Sequence, residues 1–599
     1  MNTQQISASD YNLLTKKCLL WLGFGWVGFL LTLTGFFYAW IVWAVFLAGA
    51  IALSVNLFKK HGPFKLSREL TLISLGIFIF VITLSFFTSP TLFSGRDQGS
   101  ISEAAIRLAQ NHSLVFSNPA GDTFFKLRGA GRSLNFPGFF YTSSGELITQ
   151  FPLVYISWLA SFYGIFGIMG LTIANAVLSL LFLFTFYSLA RVFMPIRGSI
   201  ISLLFAATSL SVFWFPKYTL SENMALPLVW LSIFATISFL RNQNRLNLLL
   251  LLSSSVLLIF TRIEGVAFFL ICAAITVFNK NTRTYLKNTL GWKFFIFLGF
   301  LFAILIANAT WDINFYKEIV KAVLPPITPP QTTSLGTVGD PAVSNFYMLK
   351  VFYLYGMLSF FVLSAVACIF YATKKNIPKL IPFLIVAPTL IYLLNSHISA
   401  DHPWMLRRFA FSVLPGTIFY CALILDDWQE YLISTKRNLA LRVLPSIVAL
   451  FLIAGNMPAF LNFVTFSENE NLLPQTQQLS KRFSSNDLVL IDRLTTDDGW
   501  SMISGPMNFL YGKNTAYFFN IEDLTKIELK SFDNVYLIAP DSKITYYENS
   551  AIAKLLTPDG QYTLSTSRLG LDQEFTNSKN SFPEKRSIIS HGTIFKVSK

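Results

Sequence analysis

Arg96 and Asp97 stand side by side just past an apolar run that ends near Thr88. A carboxylate at the end of an apolar span, ahead of a short amphipathic stretch, is suited to take a proton from a hydroxyl, the work of a general base. The competing use of Asp97 is structural, as the N-cap of the helix that follows. Ser100 with Glu103 three residues on makes a capping-box pattern, however, and predicts a helix from about Ile101. With Ser100 as cap, Asp97 has less structural employment. Ile101, Ala104, Ala105, Leu108 and Ala109 share one helical face, as in a helix lying at a membrane interface. Farther along, Arg128, Arg132 and the turn-rich Asn135 to Gly138 suit a loop folded over a cavity or an ordinary solvated loop.

Three further segments carry ionisable groups where an apolar chain should not have them. In Phe215 to Asn223, Ser221 is placed to cap a new helix, and Glu222 in its first turn is either stabilised by the helix dipole or part of a site. Lys217 in the same segment either meets an anionic substrate or anchors among headgroups. Arg262 and Glu264 interrupt an apolar stretch from Leu246 to Phe278, with Gly265 to make the turn. They form an internal ion pair or line a cavity, and the cost of charge at that depth favours the cavity. In Ser396 to Phe409, Arg407 and Arg408 offer guanidinium groups matched to phosphate oxygens or to lipid headgroups. His397, Asp401 and His402 lie nearby and would supply ligands to a divalent metal, but their spacing is not a familiar one. No metal ligand and no cofactor are assigned, and a divalent metal stays open.

The elements that position these groups are membrane spans. A 599-residue chain with 53% hydrophobic and 13% charged residues is no soluble globule. Its mean hydropathy is +0.54. Spans of roughly 20 residues are expected at 18–36, 38–57, 71–88, 166–190, 198–215, 222–240, 246–261, 263–279, 293–311, 346–371, 380–396, 409–426 and 443–460, about thirteen transmembrane helices. The net charge of +15 raises nucleic acid as a partner, but the lysines and arginines cluster in every second short loop, which fits membrane orientation and no nucleic acid. Lys16 and Lys17 put the N-terminus in the cytoplasm, and an odd number of spans sends residues 461–599 to the other side. No cleavable signal is evident. The long loop 89–165 and all the charged breaks then fall on one face, the outer face of a bacterial or archaeal plasma (inner) membrane. Cys18, Cys272, Cys368 and Cys421 lie in or beside apolar runs without ligand or disulfide spacing.

The order of these segments resembles the GT-C superfamily of polytopic glycosyltransferases, in particular the branch of protein O-mannosyltransferases and lipid A aminoarabinose transferases. The likeness runs from about Ser89 to Pro415 through GRDQGSISEAAIRLAQ, TQFPLVYISWLASFYGIFG, WFPKYTLSENMALPLVW, LLIFTRIEGVAFF and WMLRRFAFSVLPG. It implies an inverting transfer of a sugar from a polyprenyl-phosphate-linked donor to a protein, lipid or glycan hydroxyl, with membrane lipid around the site. By that resemblance Asp97 is the base, Glu222 an acidic residue shaping the site, and Arg407 or Arg408 the late arginine that meets the leaving phosphate. Arg96, Lys217, Arg262, Glu264 and His402 join them as candidate substrate-binding residues. Two positions depart from the family's pattern: its acidic pair appears as Asp97-Gln98, and its His-Pro-Pro as Gln150-Phe151-Pro152. Residues 1–70 read as a two-span addition to a catalytic domain at 71–460.

After about Thr465 the pattern changes to short buried strands, at Leu488 to Ile491 and Asn534 to Ile538, and helices, at Pro474 to Phe483 and Ile521 to Leu529, an α/β domain without a nucleotide motif. The rival function is a membrane transporter or lipid flippase, which should show repeat symmetry and charges near the midplane. A noncatalytic scaffold would not gather charge on one face. Neither sugar nor acceptor is legible.

Overall fold

The computed structural model describes residues 8–61, 67–311, 313, 317, 347–393, 401–570 and 581–599. Most of the chain is helical, and a sheet domain closes it. Seven helices are long and apolar enough to cross a membrane: Asp10–Leu33, Ala39–Asn56, Arg68–Phe86, Met169–Phe193, Ser221–Arg241, Lys293–Trp311 and Leu439–Phe463. Four bent pairs raise this to at most eleven among the described residues, against the expected thirteen. The shortfall has a plain cause. Two expected spans are the shorter apolar helices Arg245–Ile259 and Ile377–Leu393. Arg245–Ile259, at 15 residues, is short for roughly 30 Å of hydrocarbon, and Ile377–Leu393 stands at the lower limit of about 17 residues. A third short apolar helix, Leu153–Phe166, was not expected as a separate element.

Breaks between helices are built by local chemistry. At the charged interruption, a Cβ on Gly265 would fall 2.0 Å from the carbonyl oxygen of Leu258, so only glycine fits this tight turn between Arg245–Ile259 and Gly265–Phe278. Aromatic side chains knit the helices together. Phe24 lies 5.1 Å from Trp158 and Trp21 4.4 Å from Phe46, ring to ring, joining the first two helices to Leu153–Phe166. Trp26 Nε1 donates to Ser253 Oγ at 3.0 Å, and Tyr11 to Asn247 at 2.9 Å, so the first helix is also tied to Arg245–Ile259.

The helix after the third span starts earlier than the capping-box pattern predicts. It runs Asp97–Asn111, with Arg96 in the N-cap position, extended and without a side-chain capping bond. Ser100 is not a cap; its hydroxyl donates to the Pro137 carbonyl at 2.8 Å. Nor is this helix laid on a surface. Gln98, Ser100, Ser102 and Glu103 are buried along with the apolar face, because the helix is enclosed between Leu153–Phe166 on one side and Ser504–Phe509 on the other. The loop beyond it folds into an antiparallel sheet of β1 (Gly131–Arg132), β2 (Phe139–Tyr141) and β3 (Leu147–Thr149).

The C-terminal sheet has five strands: β4 (Leu488–Asp492), β5 (Asn514–Phe518), β6 (Val535–Pro540), β7 (Leu556–Leu569) and β8 (Lys585–Val597), in the order β5-β4-β6-β8-β7. β4 runs parallel to β5 and β6, while β8 is antiparallel to β6 and β7. Every residue of the interior strand β4 is buried, as expected of a strand covered on both faces. This domain sits on the loop after the third span. Tyr517 N donates to Asn135 O at 3.1 Å, the Asn135 side chain returns a bond to Tyr517 O at 2.8 Å, and Lys126 pairs with Glu528 at 2.7 Å.

Candidate functional site

A cavity of about 940 Å³ opens where the Asp97 helix, the start of Ser221–Arg241, the Arg262 break and the Arg407 turn converge. Among the described residues five cationic side chains line it, Arg132, Arg262, Lys317, Arg407 and Arg408, against three carboxylates, Asp97, Glu222 and Glu264. The surplus is positive, which suits an anionic ligand. Gln150, Phe151 and Pro152, at the departure from the family pattern, form part of the wall.

The charges are arranged as a relay of pairs. Arg407 Nη1 lies 2.6 Å from Asp97 Oδ2, and its Nε lies 3.8 Å from Glu222 Oε1. Glu222 is held in turn by Arg262 Nη1 at 2.9 Å. Arg262 also grips Glu264 with two nitrogens, at 3.1 and 2.9 Å, and donates to Ser221 Oγ at 3.0 Å. Ser221 therefore works as an acceptor for Arg262; the helix it opens has Leu220 in the cap position and no side-chain cap. Tyr392 donates to Glu264 from the opposite wall.

Exposure separates the two catalytic candidates. Glu222 is 3% exposed and locked by arginines, whereas the Asp97 side chain keeps 41% of its surface. Burial of its surroundings pushes the Asp97 carboxyl up, but the guanidinium groups of Arg407, Arg408 and Arg262 outweigh that and hold it below its usual range. Asp97 is thus an ionised, accessible carboxylate. Arg408 differs from Arg262 and Arg407 in forming no ion pair among the described residues: its Cζ lies 5.6 Å from the Tyr392 ring, and its Nε, like that of Arg407, is buried without a hydrogen-bond partner among them. A buried guanidinium nitrogen left open in this way is ready for a ligand oxygen.

Three expected site residues lie elsewhere. Lys217 is outside this cavity and donates to the carbonyls of Phe463, Val464 and Phe466 at 3.1, 2.7 and 2.6 Å, closing the C-terminal end of helix Leu439–Phe463. Arg96 and His402 face a separate small cleft against the C-terminal domain. Arg96 pairs with Asp401 at 2.6 Å. His402 contacts the Tyr355 hydroxyl at 3.0 Å through Nδ1, and burial pushes its pKa down to about 4, so it is neutral at pH 7. Glu264 lines the cavity and is held there by Arg262 and Tyr392. Sequence reasoning missed Tyr392, a single tyrosine in an apolar run that carries no distinguishing signal. His397 lies outside the described residues. Among the described residues no group of three His, Cys, Asp or Glu side chains comes together to hold a metal, and the cavity carboxylates are each engaged by arginine.

No family model matches the chain, and no curated protein matches it. Solved structures similar in shape include two of the same protein. The crystal structure of ArnT from Cupriavidus metallidurans in the apo state shares 11% identity, covers 88% of this chain and 97% of its own, with a TM-score of 0.49. That of ArnT from the same organism bound to undecaprenyl phosphate shares 10% identity over 89% of this chain and 98% of its own, with a TM-score of 0.45.

Proposed function

We propose that this chain is an inverting glycosyltransferase of the GT-C type, moving a sugar from a polyprenyl-phosphate-linked donor to an acceptor hydroxyl at the outer face of a plasma membrane. The observation that carries the reading is the pairing, in one cationic cavity, of an ionised and accessible Asp97 with the uncommitted Arg408 nitrogen. Asp97 takes the proton of the acceptor hydroxyl as its oxygen bonds to the anomeric carbon. The bond from that carbon to the phosphate oxygen breaks with inversion, and the electron pair leaves on the lipid phosphate. Arg408, with Arg262 and Arg407 close by, stabilises the charge that develops there. The leaving group is a phosphate ester, so cations suffice where a poorer leaving group would need an acid. Glu222 fixes Arg407 and Arg262 in place.

The test is a reconstituted membrane assay in which polyprenyl-phosphate-linked sugars are supplied and free polyprenyl phosphate is measured by mass spectrometry. The wild type should release it, and Asp97→Asn should cut release by a factor of about 10² or more, the usual scale of a lost general base. Movement of intact donor between leaflets with no bond broken would replace this reading with a flippase.

A further inference from the structure

Trp500 belongs to the C-terminal domain, yet it reaches the residue beside the candidate base. The Arg96 guanidinium lies 4.8 Å from the Trp500 ring centroid and 4.5 Å from that of Trp404. The Arg407 guanidinium also lies over Trp404, at 4.5 Å, and it is this group that pairs with Asp97 at 2.6 Å. Aromatic and guanidinium planes thus alternate without a gap from the C-terminal domain to the reacting carboxylate.

Both ends of this stack are fixed. Trp500 N donates to Asp498 Oδ1 at 2.7 Å, and Asp498 is itself paired with Arg568 of β7 at 3.0 Å. The strap 493–503 is pressed onto the turn before Asp97. Ser94 N donates to Met502 O at 3.2 Å, and a Cβ on Gly95 would sit 2.0 Å from Trp500 O, so the two backbones meet where only glycine allows it. A guanidinium over an indole is attracted to the ring face and prefers a parallel plane. Three such contacts in series add to the ion pairs of Arg407 with Asp97 and Glu222 by stacking against the plane of its guanidinium.

Resting on the function proposed above, we infer that Trp500 is a positioning residue for the transfer reaction, acting through Arg96 and Trp404 to set the Arg407 guanidinium that holds Asp97. The C-terminal domain is then a part of the catalytic machinery. A displacement of its strap loosens the base without any contact to substrate.

The coupling is tested on the full chain labelled with 5-fluorotryptophan in nanodiscs, by fluorine NMR, with the Trp404 and Trp500 lines assigned from Trp→Phe variants. Asp97→Asn releases Arg407 and should shift both lines. In Arg96→Lys, which keeps a cation for Asp401 and loses the plane, Asp97→Asn should shift the Trp404 line alone. A Trp500 line that ignores Asp97→Asn in the wild-type background overturns the inference. So does an undiminished Trp500 shift in Arg96→Lys, since the ion pair would then be the connection. These readings need no substrate, so they stand apart from the release assay, whose failure would sink the proposed function and leave the coupling in place. In that assay Trp500→Ala should lower turnover at least 10-fold with donor affinity unchanged, and Trp500→Phe should restore most of it. Equal losses in both variants would mark Trp500 as structural only.

Discussion

At the scale of single residues, the site's working parts differ in how firmly they are held. Asp97 is ionised because the three guanidinium groups around it outweigh the effect of burial, and Arg407 is the strongest of the three. Because its folded-state pKa is depressed, the carboxylate stays charged down to a pH below the ordinary carboxylate value, and on the proposed function the rate should stay level through pH 5. Arg407→Gln removes the nearest cation and lifts that pKa. The acid limb of kcat/KM should therefore move to higher pH. A limb that does not move would mean that another group controls the proton. Arg408 answers to a different measurement. On the proposed function, its open nitrogen predicts that Arg408→Ala weakens binding of a polyprenyl phosphate by about 1.5 to 3 kcal/mol, a factor of roughly 10 to 150, the worth of a bond to a charged group. Unchanged affinity would remove Arg408 from the phosphate site.

At the scale of elements, Lys217 shows how a charged residue near an apolar span is turned to structural use. Its ammonium satisfies three carbonyls at the end of helix Leu439–Phe463, beside the Trp214 ring at 5.5 Å. Lys217→Met leaves those carbonyls without a donor and should lower thermal stability in detergent by about 2 to 3 kcal/mol while leaving undecaprenyl phosphate affinity intact. Lost affinity at unchanged stability would return Lys217 to the substrate. The sequence could suggest a charged role here but not its partner, which lies some 250 positions away. The same limit explains the Asp97 helix. Ser100 and Glu103 have capping-box spacing, yet the Pro137 carbonyl takes the serine hydroxyl and the helix begins at Asp97. Arg262 with Glu264 was legible because the pair is local, two residues apart. Asp97 with Arg407 was legible only as charges gathered on one face. Short apolar helices such as Arg245–Ile259 share the composition of a span, so hydropathy counted them as spans.

At the scale of the whole molecule, the C-terminal domain and the Asp97 helix share a buried ionisable group. Glu103 is 5% exposed on its side chain, lies 3.8 Å from Arg107, and faces helix Ser504–Phe509, where a Cβ on Gly505 would come within 3.3 Å of its Oε2. Arg107 spends its own bonding on Asn508 and the Phe116 ring, so it offsets little of the carboxylate's desolvation. Burial pushes the Glu103 carboxyl from its ordinary value of 4.5 up to about 7. Between those two values the folded chain holds a proton that the unfolded chain has lost, so stability falls as pH rises through that window and is level above it. The full loss is about 3 kcal/mol at the usual 1.36 kcal/mol per pKa unit. Glu103→Gln keeps the shape and removes the titration. Its melting temperature should match the wild type near pH 4.5 and exceed it at pH 8, with slower hydrogen exchange in 504–509 at the higher pH. A variant less stable than wild type at pH 8 would show that the ionised Glu103 and Arg107 pair holds the domain down. Since the strap that carries Trp500 leads directly into helix Ser504–Phe509, a carboxylate that weakens this contact near neutral pH acts on the same surface through which the domain reaches Asp97.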